Sequence, residues 1–282
     1  MRKKLSIFIK LTIITAVMTA LLAPGSLGAE PASPGGDVMV DDLIAENPDA
    51  LLVYAGAGLK KPVQAIGSAF TNQTGIPVVF NFQGSGNLLT QMEITRKGDI
   101  FIPGGTADFT VAEERGLVGD PEYLAYHVPV IAVRDKNPLN ISSVGDFTMP
   151  GLKLGLGDIK ATAIGAAGEK LFTAAGIRED VEKNVVVRAA TINELVTALN
   201  AGSIDASLLT RDQINEETMD AVALADGNDY VLIIPIGVTT FTKEAENAEK
   251  FVEFVASEDG KAFFGKAGFP VYPNETYADV EP

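Results

Sequence analysis

Three times between residues 51 and 115 a short apolar run stops at glycines and gives way to an apolar stripe of helical period, and few architectures accommodate that recurrence. Leu51-Leu52-Val53-Tyr54 ends in Ala55-Gly56-Ala57-Gly58, after which Leu59, Val63, Ile66 and Phe70 recur at spacings of four, three and four. Val78-Val79-Phe80-Asn81-Phe82 leads into Gly84-Ser85-Gly86 and then Leu88, Leu89 and Met92 at helical spacing. Asp99-Ile100-Phe101-Ile102 reaches Pro103-Gly104-Gly105 and a third helical stretch from about Thr106 to Arg115. Buried strand, glycine loop and helix in repeated order specify an α/β fold with a largely parallel sheet.

A second unit of the same class fills the middle of the chain. Strands are expected near Val128 to Val133, Leu152 to Leu156, Val185 to Val187, Ile204 to Leu209 and Tyr230 to Ile234, with helices between them. The clearest helix runs from Thr191 to Ala201, where Ile192, Leu195, Val196 and Leu199 form one face behind a Thr191 cap. Farther on, Thr242 is placed to cap a helix carrying Ala248, Phe251, Val252 and Val255, and Ser257 one carrying Phe263 and Phe264. The tail after Phe269 reads as extended. With 282 residues, the chain exceeds the usual single-domain size of about 100 to 150 residues, so two domains are expected.

Residues 1–29 read as a secretory signal peptide: Arg2, Lys3 and Lys4 form a basic start, Leu11 to Leu22 is apolar, and Ala23 to Ala29 supplies small residues for cleavage. The apolar stretch after Lys10 falls short of the roughly 20 residues needed to cross a bilayer. Export to a periplasm or cell surface is therefore expected. Residues 30–50, rich in Pro, Gly, Asp and Ala, read as a disordered or loosely docked linker. With Cys 0, disulfides, thiolate metal sites, cysteine nucleophiles and a cysteine-borne lipid anchor are excluded, and stability must come from core burial. The formal charge is −15, and losing Arg2, Lys3, Lys4 and Lys10 with the leader makes the remainder more acidic still. Such a surface repels nucleic acid and anionic lipid.

A glycine loop between a strand and a helix presents free backbone N–H groups and the positive end of the helix dipole, a combination that suits an anion; it is also an ordinary tight turn. Ser85 adds a hydroxyl donor. Nucleotide readings fail: Gly84-Ser85-Gly86-Asn87-Leu88-Leu89 lacks the last glycine of a dinucleotide fingerprint, and no loop contains the Gly-Lys-Ser/Thr of a P-loop. His127 is the sole histidine; beside an apolar strand it reads as a satisfied core or surface histidine rather than a triad member, and a zinc site has no partners for it. Acid pairs such as Glu113-Glu114, Glu216-Glu217 and Glu258-Asp259 read as solvated faces.

The order of these motifs resembles that of the periplasmic molybdate-binding proteins. The likeness runs through Val53-Tyr54-Ala55-Gly56-Ala57-Gly58-Leu59, Thr74-Gly75-Ile76-Pro77-Val78, Phe82-Gln83-Gly84-Ser85-Gly86, Gly98-Asp99-Ile100-Phe101-Ile102, Gly157-Asp158, Gly202-Ser203-Ile204-Asp205-Ala206 and Ser257-Glu258-Asp259-Gly260-Lys261. Gly268-Phe269 closes the series. The resemblance implies the type II periplasmic-binding-protein fold, an α/β fold of two lobes, each a mixed, mostly parallel sheet flanked by helices. Lobe I then comprises residues 51–126 and 230–282, and lobe II residues 127–229, with hinge crossovers near Val128 to Val133 and Ile234 to Phe241.

In that family an oxyanion is enclosed between the lobes by neutral donors. By position the first-loop serine corresponds to Gly58, the second-loop serine to Ser85, the third-loop backbone donor to Ile164, the fourth to Ile192, and a tyrosine hydroxyl to Thr210. Gly58 keeps an N–H but loses a hydroxyl. A related group completes the metal centre with carboxylates, but the corresponding position here is Leu209. The candidate ligand-binding residues are therefore Gly58, Ser85, Gly86, Ile164, Ile192 and Thr210, with no protein ligand to a metal, no cofactor and no catalysis. The implied function is capture of molybdate or tungstate by a monomer that delivers it to the membrane permease of an ABC importer and binds no nucleic acid. One alternative keeps the fold and takes another small anion or organic acid, with Arg211 reaching into the cleft; another is an exported sensor or adhesin domain.

Overall fold

A computed structural model describes residues 40–225 and 227–282. The expected signal peptide and residues 30–39 of the expected linker lie outside the described residues. In chain order the first part comprises α1 (Val40–Glu46), β1 (Leu51–Gly56), α2 (Lys60–Thr74), β2 (Val78–Gln83), α3 (Ser85–Thr95), β3 (Ile100–Ile102), α4 (Thr106–Glu114) and β4 (Glu122–His127). There follow β5 (Pro129–Arg134), β6 (Leu154–Gly157), α5 (Ala163–Ala174), α6 (Arg178–Glu182), β7 (Val185–Ala189), α7 (Ile192–Asn200), β8 (Ala206–Thr210) and β9 (Met219–Ala223). The last part is β10 (Leu232–Val238), α8 (Ala245–Ala256) and α9 (Glu258–Lys266).

Two five-stranded sheets result, ordered β2-β1-β3-β10-β4 and β7-β6-β8-β5-β9. They are built alike: three parallel strands at one end, then one strand antiparallel to them, then an edge strand antiparallel to that one. Strand β1 shows why its sequence is apolar throughout. Leu51, Val53 and Ala55 face one core with Ile66, Phe70 and Phe251, while Leu52 and Tyr54 face another with Leu88, Met92 and Phe109. Alternate residues thus serve opposite faces, and helices cover both. The second sheet packs around Ile131, Leu154, Leu195 and Leu208.

The chain passes from the first sheet to the second at Val128 and returns through residues 224–231. The first crossing lies at the start of the expected Val128 to Val133 stretch, whose later residues pair with β8 and β9; the second precedes the expected Ile234 to Phe241, where β10 pairs with β3 and β4. Within the stretch expected to be a linker, residues 40–46 form α1, with Val40 buried and Leu43 and Ile44 packed on the same core. Apolar residues at i, i+3 and i+4 account for its docking.

Capping follows the sequence at two of three positions. Thr191 Oγ accepts from the Glu194 N–H, and Ser257 Oγ from the Gly260 N–H at 3.1 Å. Thr242 does not cap α8; its hydroxyl donates to Asp99 Oδ1 at 2.5 Å. Asp99 Oδ2 in turn accepts the Leu52 N–H at 2.8 Å, so this buried carboxylate ties β1 to the segment after β10. Beside it, Gly98 has φ +95°, and a Cβ there would lie 2.3 Å from the Tyr54 ring, so only glycine fits. The C-terminal tail is anchored rather than free: the Tyr272 N–H donates to Leu124 O, and Glu275–Tyr277 forms a 3-10 turn. Among the described residues, no helix is long and apolar enough to cross a membrane.

Candidate functional site

In each sheet two parallel strands end side by side, and each runs into a helix: β1 into a 3-10 turn (Ala57–Leu59) and α2, β2 into α3, β6 into α5, β7 into α7. Carboxyl ends of adjacent parallel strands form a crevice where ligands bind. Here the two crevices face each other across a single cavity of about 40 Å³, lined from the first lobe by Gly58, Ser85 and Gly104 and from the second by Thr162, Ile164, Ile192 and Thr210. On this measure one water needs about 10–15 Å³, so the space holds about three, the scale of a small tetrahedral ion.

The donors that reach this cavity follow from the helix starts. At α5, Thr162 Oγ1 accepts the Gly165 N–H at 3.0 Å and donates to Asp158 O at 2.9 Å, while the Ala166 N–H bonds Thr162 O. The N–H groups of Ala163 and Ile164 then have no acceptor among the described residues. At α7 the Glu194 side chain takes the Ala190 N–H, leaving Ile192 and Asn193 N–H free in the same sense. Such N–H groups point out along the helix axis, where the dipole also favours negative charge.

Side-chain hydroxyls add to them. Ser85, 3% exposed, accepts the Gly104 N–H on Oγ at 2.9 Å, so its own hydrogen remains for the cavity. Thr210 Oγ1 is buried with no partner in hydrogen-bond geometry; it lies near Asp212 and favours that carboxylate's ionisation without a well-formed bond. A buried unpaired hydroxyl is costly, and a ligand oxygen would relieve it. No carboxylate lines the cavity, and His127 is the sole ionisable side chain that does. The arrangement therefore receives negative charge, not a cation.

Five of the six residues singled out from the sequence meet here: Gly58, Ser85, Ile164, Ile192 and Thr210. Gly86 does not. Its N–H donates to Ala161 O at 3.1 Å, across to the other lobe, so the group expected to hold a ligand holds the lobes together. The side-chain space of Gly58 is filled from the other lobe: a Cβ there would lie 3.1 Å from Ile192 Cγ2. Arg211 stays outside, more than half exposed and 3.8 Å from Glu216, and Leu209 belongs to the second core.

Other interlobe contacts were invisible in the sequence. Asn193 Nδ2 donates to Ala57 O at 3.1 Å, Gln213 Nε2 to Gly58 O at 3.0 Å, and His127 Nδ1 lies 3.0 Å from Asp212 Oδ1 with both side chains buried. Partners 85 to 155 residues apart leave no local signal.

Two lobes enclosing a small cavity lined by backbone and hydroxyl donors, with His127 at its wall, have the form of a ligand-binding protein. Residues 51–270 match the family model of bacterial extracellular solute-binding proteins. The chain is 30% identical over 221 residues to a binding protein of Haemophilus influenzae, covering 78% of this chain and 90% of that one. It is 26% identical over 261 residues to the molybdate-binding protein ModA of Mycobacterium bovis, covering 91% and 95%. Among solved structures, the periplasmic molybdate-binding protein of Azotobacter vinelandii superposes with a TM-score of 0.66 at 17% identity, covering 79% of this chain and 100% of that one. The chain belongs to the bacterial extracellular solute-binding proteins, the ligand-capturing components of ABC transporters; it acts outside the cytoplasm and catalyses no reaction.

Proposed function

We propose that the protein captures a tetrahedral oxyanion, molybdate or tungstate, between its two lobes and delivers it to the permease of an ABC importer. The observation that carries this reading is the convergence, from both lobes, of unpaired helix-start N–H groups and the unpartnered Thr210 hydroxyl on a cavity that holds no carboxylate. In a site closed to water such dipoles stabilise a dianion without a fixed counter-ion. The cavity's size, and the position of Arg211 outside it, favour a compact inorganic ion over an organic acid such as citrate. Within the oxyanions, molybdate is favoured by the 26% identity to a molybdate-binding protein over nearly the whole chain.

Closure supplies the mechanism. Donors on α5, α7 and β8 reach the ligand only when the lobes meet, and Gly86–Ala161, Asn193–Ala57 and Gln213–Gly58 hold them together. Ligand binding shifts the population toward that form, which the permease reads. The lobes are residues 51–127 with 232–282, and 129–223, so His127 falls in lobe I, and they pivot at Val128 and residues 224–231. The protein works as a monomer, in a periplasm or at a cell surface, and binds no nucleic acid. Calorimetric titration with molybdate, tungstate, sulfate, phosphate and citrate tests the reading. Dissociation constants below about 1 μM for molybdate and tungstate are expected; tight binding of citrate alone would refute it.

A further inference from the structure

We infer that His127, backed by Asp212, is a proton-dependent ligand-binding residue: its imidazolium presents Nε2–H to the bound anion, so that capture is coupled to one proton. The inference rests on the oxyanion reading above. His127 is the last residue of β4, and Asp212 follows β8 in the 3-10 turn Arg211–Gln213, so the pair spans the two lobes. Both side chains are at least 94% buried, and Nδ1 to Oδ1 is 3.0 Å.

The orientation of the ring follows from its carbons. A Cβ on Gly58 would lie 3.8 Å from His127 Cε1, and one on Gly104 would lie 3.9 Å from Cδ2. Both glycines line the cavity, as does His127. Nε2 is bonded to Cε1 and Cδ2 and therefore points between those glycines, while Nδ1 faces Asp212 on the far side. No protein partner of Nε2 is present among the described residues, although Nδ1 is fully engaged.

Two protonation states then present opposite edges to a ligand. In the neutral ring Nδ1–H donates to Asp212, and Nε2 offers a lone pair that repels an unprotonated oxyanion. In the imidazolium both nitrogens donate, the Asp212 charge sits behind the ring, and Nε2–H makes a charge-assisted bond to the ligand. Burial alone would raise the Asp212 carboxyl, but the charge of His127 and hydrogen bonds from His127 and Gln213, with the nearby Thr210 hydroxyl, outweigh it and hold the group below its ordinary range. Asp212 therefore stays ionised and supplies the counter-charge.

The remaining neighbours of the ring do not titrate. Leu232 pairs with His127 on β10, the Phe269 ring lies 5.2 Å away, and Gly58 and Ile192 close the cavity side. Lys60 and Lys61 line the outer groove behind the pair, on the side of Asp212. Nothing else in the cavity carries a charge that could substitute for the imidazolium. Because the favourable form is the protonated one, affinity falls as pH rises.

The test is calorimetric titration of the full chain with tungstate from pH 6 to 8.5, repeated in buffers of different ionisation enthalpy. Tungstate itself carries no proton in that range. The wild type is expected to take up close to one proton at the alkaline end, with affinity falling by up to about tenfold per pH unit. His127→Gln, which keeps a neutral donor, is expected to bind about tenfold or more weakly at pH 6 and to lose the pH dependence. Asp212→Asn is expected to move the wild-type profile to lower pH. Circular dichroism of the unliganded variants reports their folding, and the wild-type profile stands without them. Tungstate binding with a flat profile and no proton uptake would overturn the role of His127 and leave the oxyanion reading intact. Absence of binding to every oxyanion at pH 6 would overturn both.

Discussion

Gly86→Ala separates ligand capture from folding. A Cβ on Gly86 would lie 1.8 Å from Lys160 O and 2.9 Å from Lys160 C, both backbone atoms of the opposite lobe. Real Cβ contacts essentially never fall below 3.0 Å, so the lobes must part there by at least about 1.2 Å. The Gly86 N–H to Ala161 O bond of 3.1 Å is then broken, and the donors of α5, α7 and β8 withdraw from the ligand. Losing two hydrogen bonds to a charged oxygen at about 1.5 kcal/mol each amounts to about 3 kcal/mol, or more than 100-fold in affinity. The unliganded protein should respond in the opposite sense: Gly86 lies in the first turn of α3, where alanine favours helix by up to about 1 kcal/mol. Calorimetry with molybdate measures the first effect and thermal unfolding without ligand the second. Small-angle scattering should show the variant failing to contract with molybdate. Binding within threefold of wild type, with normal contraction, would show that the lobes do not close on this contact.

Two further outcomes follow from single groups. Ser85→Ala removes the acceptor of the buried Gly104 N–H as well as a donor to the ligand. It should weaken molybdate binding at least tenfold and also lower unliganded stability by about 1–3 kcal/mol in urea unfolding; an unchanged urea midpoint would contradict the hydrogen bond. Burial lifts the Asp108 carboxyl to about 6, from 3.8. Its folded value is raised, so its contribution is fully present below about pH 4 and is lost as pH rises through 6. Asp108→Asn should therefore add up to about 3 kcal/mol of stability at pH 7 and none at pH 4. Equal effects at the two pH values would refute the shift.

The α/β class, the two units and most elements were legible because a strand buried on both faces must be apolar throughout and its covering helices must carry a stripe. Strands β4 and β9 left weaker traces. Each lies at the edge of its sheet, and exposed or half-buried positions such as Glu122, Tyr123, Asp220 and Ala221 dilute the pattern. Thr242 looked like a cap and became a partner of Asp99, since a hydroxyl serves whichever acceptor the fold brings near.

By itself the sequence determined the glycine loops and the order of helix starts, because backbone conformation and dipole direction are local properties. The resemblance of their order to a known family then pointed to five residues that share one cavity. What each group does there was decided only by the tertiary structure. Gly86 and Ser85 sit side by side in the chain, yet one N–H meets the opposite lobe and the other's hydroxyl meets Gly104. His127 reads as a core histidine until the fold sets it between Asp212, 85 residues away, and the cavity. Burial, pairing and charge depend on groups that folding brings across the lobes, and no window of sequence contains both partners.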